Sequence, residues 1–167
     1  MSLSETHRLV REAIRPLVGL PVGAVYRAAD MLILHFGIMR KVEGGEVGKF
    51  GLHVSAPWRL EDHERIITGR YDRWHDPVTL QPAYHGPQPK RSLWDVRIAE
   101  WWEGEAAPPL VLSARADRHA NLRFGFSNGT VLRTFSDGTQ TEDWRLFEWG
   151  SDDTHFVITG GKIEVDE

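Results

Sequence analysis

Gly125-Phe126-Ser127-Asn128-Gly129 fits G-x-S-x-G, the spacing of a nucleophile elbow, and Asp143 and His155 follow it in the order serine, acid, histidine. The flanking residues argue against that chemistry. An elbow needs a helix after its serine, whereas Thr130 to Phe135 alternates as a strand would, and Asn128-Gly129 is a preferred pair for a tight hairpin turn. Ser127 is therefore expected to be a turn residue, and no catalytic residue is assigned.

Asp62-His63-Glu64 and the nearby Asp72, His75 and Asp76 supply the imidazoles and carboxylates that zinc or manganese accept. They have no H-E-x-x-H or H-x-H spacing, so the first expectation is that they are solvated loop residues with no metal and no cofactor. The alternative is a small metal-assisted hydrolase using His63, His75, Asp62 and Asp76. Gly44-Gly45-Glu46-Val47-Gly48-Lys49 lacks the full phosphate-loop pattern and no helix follows it, so it reads as a hairpin loop.

Two Trp-Arg pairs, Trp58-Arg59 and Trp144-Arg145, raise a different chemistry. An arginine on a largely apolar strand must meet a carboxylate, stack on an aromatic ring or face water. One reading is a structural ion pair with an acid such as Asp72 or Glu148. The other is an anionic or aromatic ligand held between guanidinium and indole, with Trp58, Arg59, Trp144, Arg145, His53 and Asp72 as its ligand-binding residues.

Composition narrows the classes. A chain of 167 residues fits a single domain spanning 1–167 with a core of its own. Without cysteine it has no disulfide, no thiolate metal site and no cysteine nucleophile, which suits a cytoplasmic setting. The opening MSLSETHRLVREAIRPL carries charges through its helical pattern, so neither a signal peptide nor a membrane span is expected. A net charge of -4 with interspersed signs gives no reason to expect nucleic-acid binding. The seven tryptophans need burial or a ligand.

The elements that would position these residues are mostly strands. Ser2 and Ser92 each begin capping-box spacings, with Glu5 and Asp95 three residues on, and predict an N-terminal helix and a mid-chain helix that ends before Pro108-Pro109. Strands are expected at Val22 to Arg27, Leu32 to Phe36, Phe50 to Val54, Arg65 to Tyr71 and Val111 to Ala116, with Pro57 marking a bulge or edge. Residues 72–91 hold Pro77, Pro82, Pro87 and Pro89 and read as a Pro-rich surface loop carrying Trp74, His75, Asp76, Tyr84 and His85. A two-residue turn at Asn128-Gly129 would pair Phe126 with Val131 and Phe124 with Arg133. It would put Leu122, Phe124, Phe126, Val131 and Phe135 on one face, broken by Arg133. A turn at Gly160-Gly161 would pair Ile158 with Ile163 and Phe156 with Val165.

The halves echo each other. Trp58-Arg59-Leu60 matches Trp144-Arg145-Leu146, Ile67-Thr68-Gly69 matches Ile158-Thr159-Gly160, and Phe36-Gly37 matches Phe124-Gly125. If the echo is structural, two similar antiparallel units are related by a pseudo-twofold. The fold class expected is α+β, mainly antiparallel sheet with two helices.

Leu52-His53-Val54, Pro57-Trp58-Arg59, Gly69 to Asp72, Phe126-Ser127-Asn128-Gly129, Trp144-Arg145 and His155 to Gly160 together resemble a family of small uncharacterised bacterial proteins. The resemblance implies a stand-alone domain and carries over no catalytic residue. Function is then expected to be non-enzymatic: a cytoplasmic binding or interaction protein that meets a protein partner or another copy of itself, with no nucleic acid and no membrane. The metal-assisted hydrolase is one alternative. A small-ligand carrier with a pocket at Trp58-Arg59 is the other.

Overall fold

The Ser2 hydroxyl accepts the Glu5 amide at 3.2 Å and starts helix α1 (Leu3–Ile14), which buries Thr6, Val10 and Ile14 on one stripe. Pro16 turns the chain out of it through a single 3₁₀ turn, Arg15–Leu17. In this computed structural model the described residues are 1–83, 90–104, 106–151 and 155–164.

The first half then runs through β1 (Val22–Ala28), β2 (Met31–Phe36), a small hairpin of β3 (Arg40–Val42) and β4 (Gly45–Val47), β5 (Phe50–Val54), β6 (Trp58–Glu61) and β7 (Ile66–Gly69). A 3₁₀ turn at Arg70–Trp74 ends the strand expected to reach Tyr71. Helix α2 (Leu93–Glu103) opens on the Ser92–Asp95 capping box, and both of its reciprocal bonds are formed. The second half follows with β8 (Val111–Ala116), β9 (Leu122–Phe126), β10 (Val131–Thr134), β11 (Glu142–Glu148), β12 (Phe156–Thr159) and β13 (Lys162–Ile163). This is the α+β, mainly antiparallel fold that the sequence predicts.

The strands form two larger sheets, ordered β1-β2-β5-β11-β12-β13 and β7-β6-β10-β9-β8. Three strands of the first half, β1, β2 and β5, therefore sit in the first sheet while β6 and β7 cross to the second. The second half places β8, β9 and β10 in the second sheet while β11, β12 and β13 cross to the first. The correspondence extends to register. Val22 opposes Phe36 just before a bulge in β1, and Val111 opposes Phe126 just before a bulge in β8. Trp144 opposes Val54, and Trp58 opposes Thr134. The halves meet reciprocally: the Val22 amide donates to Pro109 O and the Val111 amide to Leu20 O, both at 2.9 Å. Pro21 and Leu110 bridge between these bonds, on the pseudo-twofold.

The Trp-Arg-Leu echo is thus one structural position used twice. The Ile-Thr-Gly echo is a coincidence of sequence, because Leu60 opposes Thr68 whereas Leu146 opposes Phe156, which makes Thr68 the counterpart of Phe156. Phe36 likewise corresponds to Phe126 and not to Phe124.

Each helix covers sheet edges. Helix α2 packs on β1 and β7 and α1 on β8 and β13, so each helix sits against the first strand of the other half. Arg27 clamps α2 to β1 through two bonds to the Asp95 carboxylate, at 2.7 and 2.9 Å. The tryptophans of α2 are used within the chain: Trp94 and Trp101 are buried, and the Trp102 indole donates to Val22 O at 2.8 Å. One apolar core runs through both sheets and both helices.

Two turns sharpen the sequence reading. The Gly160-Gly161 turn pairs Ile158 with Ile163 as expected, while Val165 lies outside the described residues. The Asn128-Gly129 hairpin is one residue out of the expected register. Phe126 and Thr130 close a three-residue loop with only Gly129 at positive φ, so Val131 opposes Gly125 and Arg133 opposes Arg123. Leu132 and Thr134 turn inward with Leu122, Phe124 and Phe126, and Arg133 and Phe135 turn out. The break in the expected apolar face was the mark of the slip.

Candidate functional site

Successive strand residues point to opposite faces, and this decides the fate of the Trp-Arg pairs. Trp58 and Trp144 point into the core. Trp58 meets Trp94 edge to face with centroids 4.8 Å apart, and the Trp144 indole donates to Ala120 O at 2.9 Å. Arg59 and Arg145 point out of the other side of the same strands. The indole and guanidinium of a pair therefore line no common pocket. Each arginine is matched by an acid of its own strand, Arg59 by Glu61 at 2.7 Å and Arg145 by Glu142. The acids named from sequence are placed elsewhere: Asp72 accepts from the Thr68 hydroxyl at 2.8 Å and from Arg97 at 3.5 Å, and Glu148 lies 4.0 Å from Lys49.

The other sequence candidates serve their own loops. The Ser127 hydroxyl accepts the Leu110 amide at 2.9 Å, and buried Asp143 accepts the Gly161 amide at 2.7 Å. Asp62 accepts the amides of Glu64 and Arg65, and Asp76 those of Val78 and Thr79. His63 is exposed beside Glu64, and the His75 ring lies 3.1 Å from Tyr71 O. Among the described residues no three histidine, aspartate or glutamate side chains converge as a metal site would require. Tyr84 and His85 lie outside the described residues.

The pseudo-twofold has two outer sheet faces, and their chemistry has diverged. On the first sheet the outward positions form a chain of aromatic rings: Tyr26 on His35, His35 stacked with Trp149, Trp149 on Phe147, and Phe147 against both His53 and His155. His53 is the cross-strand neighbour of Arg145. Burial, reinforced by that guanidinium, holds its pKa below the ordinary histidine value.

On the second sheet a cross-strand row of outward positions is cationic, where the matching row of the first sheet is Tyr26, Ile33, His53 and Arg145. Arg115 opposes Arg123, Arg123 opposes Arg133, and Arg133 opposes Arg59, four arginines side by side across β8, β9, β10 and β6. At strand spacings of about 4.8 Å the row spans roughly 14 Å. Glu61 is its one carboxylate partner among the described residues, bound to Arg133 Nε at 2.5 Å and Arg59 Nε at 2.7 Å. Burial acts to raise the Glu61 pKa, but the hydrogen bonds and charges of Arg133 and Arg59 outweigh it and hold the carboxyl below its usual range. Arg115 and Arg123 have no carboxylate partner among the described residues.

At the β8–β10 end of this row lies a cavity of about 260 Å³ lined by Arg115, Arg123, Arg133, Asn121 and Phe135, among others. A larger hollow of about 490 Å³ runs beside α1, but it is bounded chiefly by that helix's own solvent-facing side chains, and its Arg8 is held by Glu12 at 2.8 Å. The smaller cavity has the more directed chemistry. Sequence reasoning found Arg59 but missed Arg115, Arg123, Arg133 and Glu61. The available signal was a single arginine in each of β6, β8, β9 and β10, hidden by the misplaced register that put Arg133 on the core face.

No family model, curated protein or solved structure matches the chain.

Proposed function

We propose that this protein is a non-enzymatic binding protein, working in the cytoplasm, and that the arginine row on the outer face of the second sheet receives an anionic ligand or partner. The observation that carries the reading is the direct cross-strand opposition of Arg115, Arg123, Arg133 and Arg59, with Glu61, shared by Arg133 and Arg59, as their one carboxylate partner among the described residues. Like charges placed opposite one another destabilise a sheet, so such a row weighs against folding and finds its use in binding. Guanidinium forks match carboxylate and phosphate oxygens in pairs, which gives the face its ligand chemistry. The overall charge of -4 weighs against nucleic acid as the partner.

The test is retention on carboxylate- and phosphate-bearing matrices at pH 7.5. The wild type should bind despite its net negative charge and elute with salt, and an Arg115→Gln/Arg123→Gln variant should flow through. Identical behaviour of the two proteins would end this reading.

The aromatic outer face of the first sheet supports a second reading, association with a protein partner or another copy. Tyr26 and Trp149 are 48 % and 38 % exposed there. Native mass spectrometry of the wild type and of Trp149→Ala tests it, and a strict monomer would refute self-association.

A further inference from the structure

The cavity beside the arginine row has a chemistry of its own, and it deepens the anion-binding reading on which it rests. We propose that it is a subsite for a small phosphate monoester whose organic part is a planar ring. Charge comes first. Glu61 is shared by Arg133 and Arg59, which leaves Arg115 and Arg123, facing each other across β8 and β9, without a carboxylate partner among the described residues. Two uncompensated guanidiniums call for a dianion. A phosphate monoester carries close to two charges at neutral pH and has three terminal oxygens to accept from converging forks, whereas a carboxylate brings one charge and two oxygens.

The remaining lining fits the same ligand. Asp117 also borders the cavity, but its carboxylate is taken up by its own turn, accepting the amides of His119 and Asn121 and the Asn121 side-chain N–H. Its hydrogen bonds go to that turn and none goes to Arg115 or Arg123. Phe135 stands at the wall, 40 % exposed, with the Arg59 guanidinium 5.2 Å from its ring centroid. A second ring can pack on what Phe135 leaves open. A cavity of about 260 Å³ is small for an elaborate ligand and admits a phosphate with a single ring.

Titration calorimetry of the whole chain in low salt at pH 7.5, with phenyl phosphate, inorganic phosphate and benzoate as probes, tests the inference. Phenyl phosphate should bind tightest, with benzoate weaker by about tenfold or more, the difference of one charged hydrogen-bonded pair. Arg115→Gln and Arg123→Gln should each weaken phenyl phosphate by about tenfold or more on the same ground. Phe135→Ala should reduce phenyl phosphate to the affinity of inorganic phosphate. Binding should also fall between pH 7.5 and pH 5, as the monoester dianion takes up a proton near pH 6 and becomes a monoanion. Circular dichroism of each variant checks that it is folded.

Equal binding of benzoate and phenyl phosphate, or unchanged affinity in Arg123→Gln, would overturn the phosphate subsite. If neither phosphate ligand binds while the matrices above still retain the wild type and release the double variant, the subsite fails and the anion-binding face stands. If the double variant is also retained, both fail.

Discussion

Trp58 and Trp144 occupy equivalent positions in the two halves, yet only one of their indole nitrogens has a partner. Trp144 Nε1 donates to Ala120 O at 2.9 Å, while Trp58 Nε1 is buried without a hydrogen-bond partner among the described residues. The difference traces to the loops before β2 and β9. Ala120 adopts φ of 59° in the longer β8–β9 connection, and its carbonyl meets the Trp144 indole, whereas β1 and β2 are joined through Ala29-Asp30 alone. Trp144→Phe removes a satisfied donor and strands a buried carbonyl. Trp58→Phe removes a donor that was already unsatisfied. Both lose ring volume, so the expectation is a loss of about 2–4 kcal/mol for Trp144→Phe and about 1 kcal/mol less for Trp58→Phe. Urea denaturation of the two variants measures the difference, and equal losses would contradict it.

The arginine row makes a prediction about stability that is separate from any ligand. Arg123 has an arginine on each side, Arg115 and Arg133. Replacing it with glutamine removes two unfavourable cross-strand neighbours, each worth about 0.2–1 kcal/mol, and should raise Tm by a few degrees. Salt should do the same to the wild type by screening, and less so to Arg123→Gln. Thermal scans across ionic strength read both effects. A lower Tm in the variant would mean that Arg123 is held by interactions other than those described.

How much of this was legible beforehand depends on whether the signal was local. The capping box at Ser92 and Asp95, the Gly160-Gly161 turn and the strand pattern around Phe50, Leu52 and Val54 are set by residues close in sequence, and they form as expected. The Trp-Arg echo also survives, because a repeated position keeps its inward indole and outward guanidinium. What failed was register. Asn128-Gly129 is compatible with two- and three-residue loops, and the choice was settled by burial of Leu132 and Thr134 against partners far away in the chain. The site was lost with it, since a one-residue slip exchanges the faces of β10 and hides Arg133. The crossing of strands between sheets was likewise invisible, because no local residue states which sheet a strand joins.

Gly51 and Phe147 form a second close pair on the outer face of the first sheet. They oppose one another across β5 and β11, and the Phe147 ring lies over the glycine so closely that a Cβ there would stand 2.5 Å from its Cζ. The ring is also fixed by His53, His155 and Trp149, with centroids at 5.0, 4.5 and 5.2 Å. Gly51→Ala should therefore cost about 1–3 kcal/mol through displacement of the ring. Because the cost comes from one contact, the double variant Gly51→Ala/Phe147→Leu should be more stable than the sum of the single losses implies. A denaturation double-mutant cycle decides it, and strict additivity would refute the ring contact as the cause.

His35 makes the fold sensitive to mild acid. It is buried, its Nδ1 accepts the Gly48 amide at 3.0 Å, and its ring is packed by Tyr26 and Trp149. Burial disfavours the imidazolium and places its pKa below the ordinary histidine value of 6.5, and His53 shifts in the same direction by burial and then by Arg145. The unfolded chain therefore binds these protons first. Stability is complete above about pH 6.5 and is lost as pH falls through that value toward the folded pKa values, by about 1.4 kcal/mol for each unit of depression. Glu61 and Glu142, whose folded pKa values lie below 4.5, add their losses only in stronger acid. Protonation of His35 would in addition remove the acceptor for Gly48. His35→Gln keeps an acceptor oxygen without the titration, so its Tm should fall less than that of the wild type between pH 7.5 and pH 5.5. Thermal unfolding over that range tests the assignment, and parallel curves for the two proteins would exclude His35 as the acid-sensitive group.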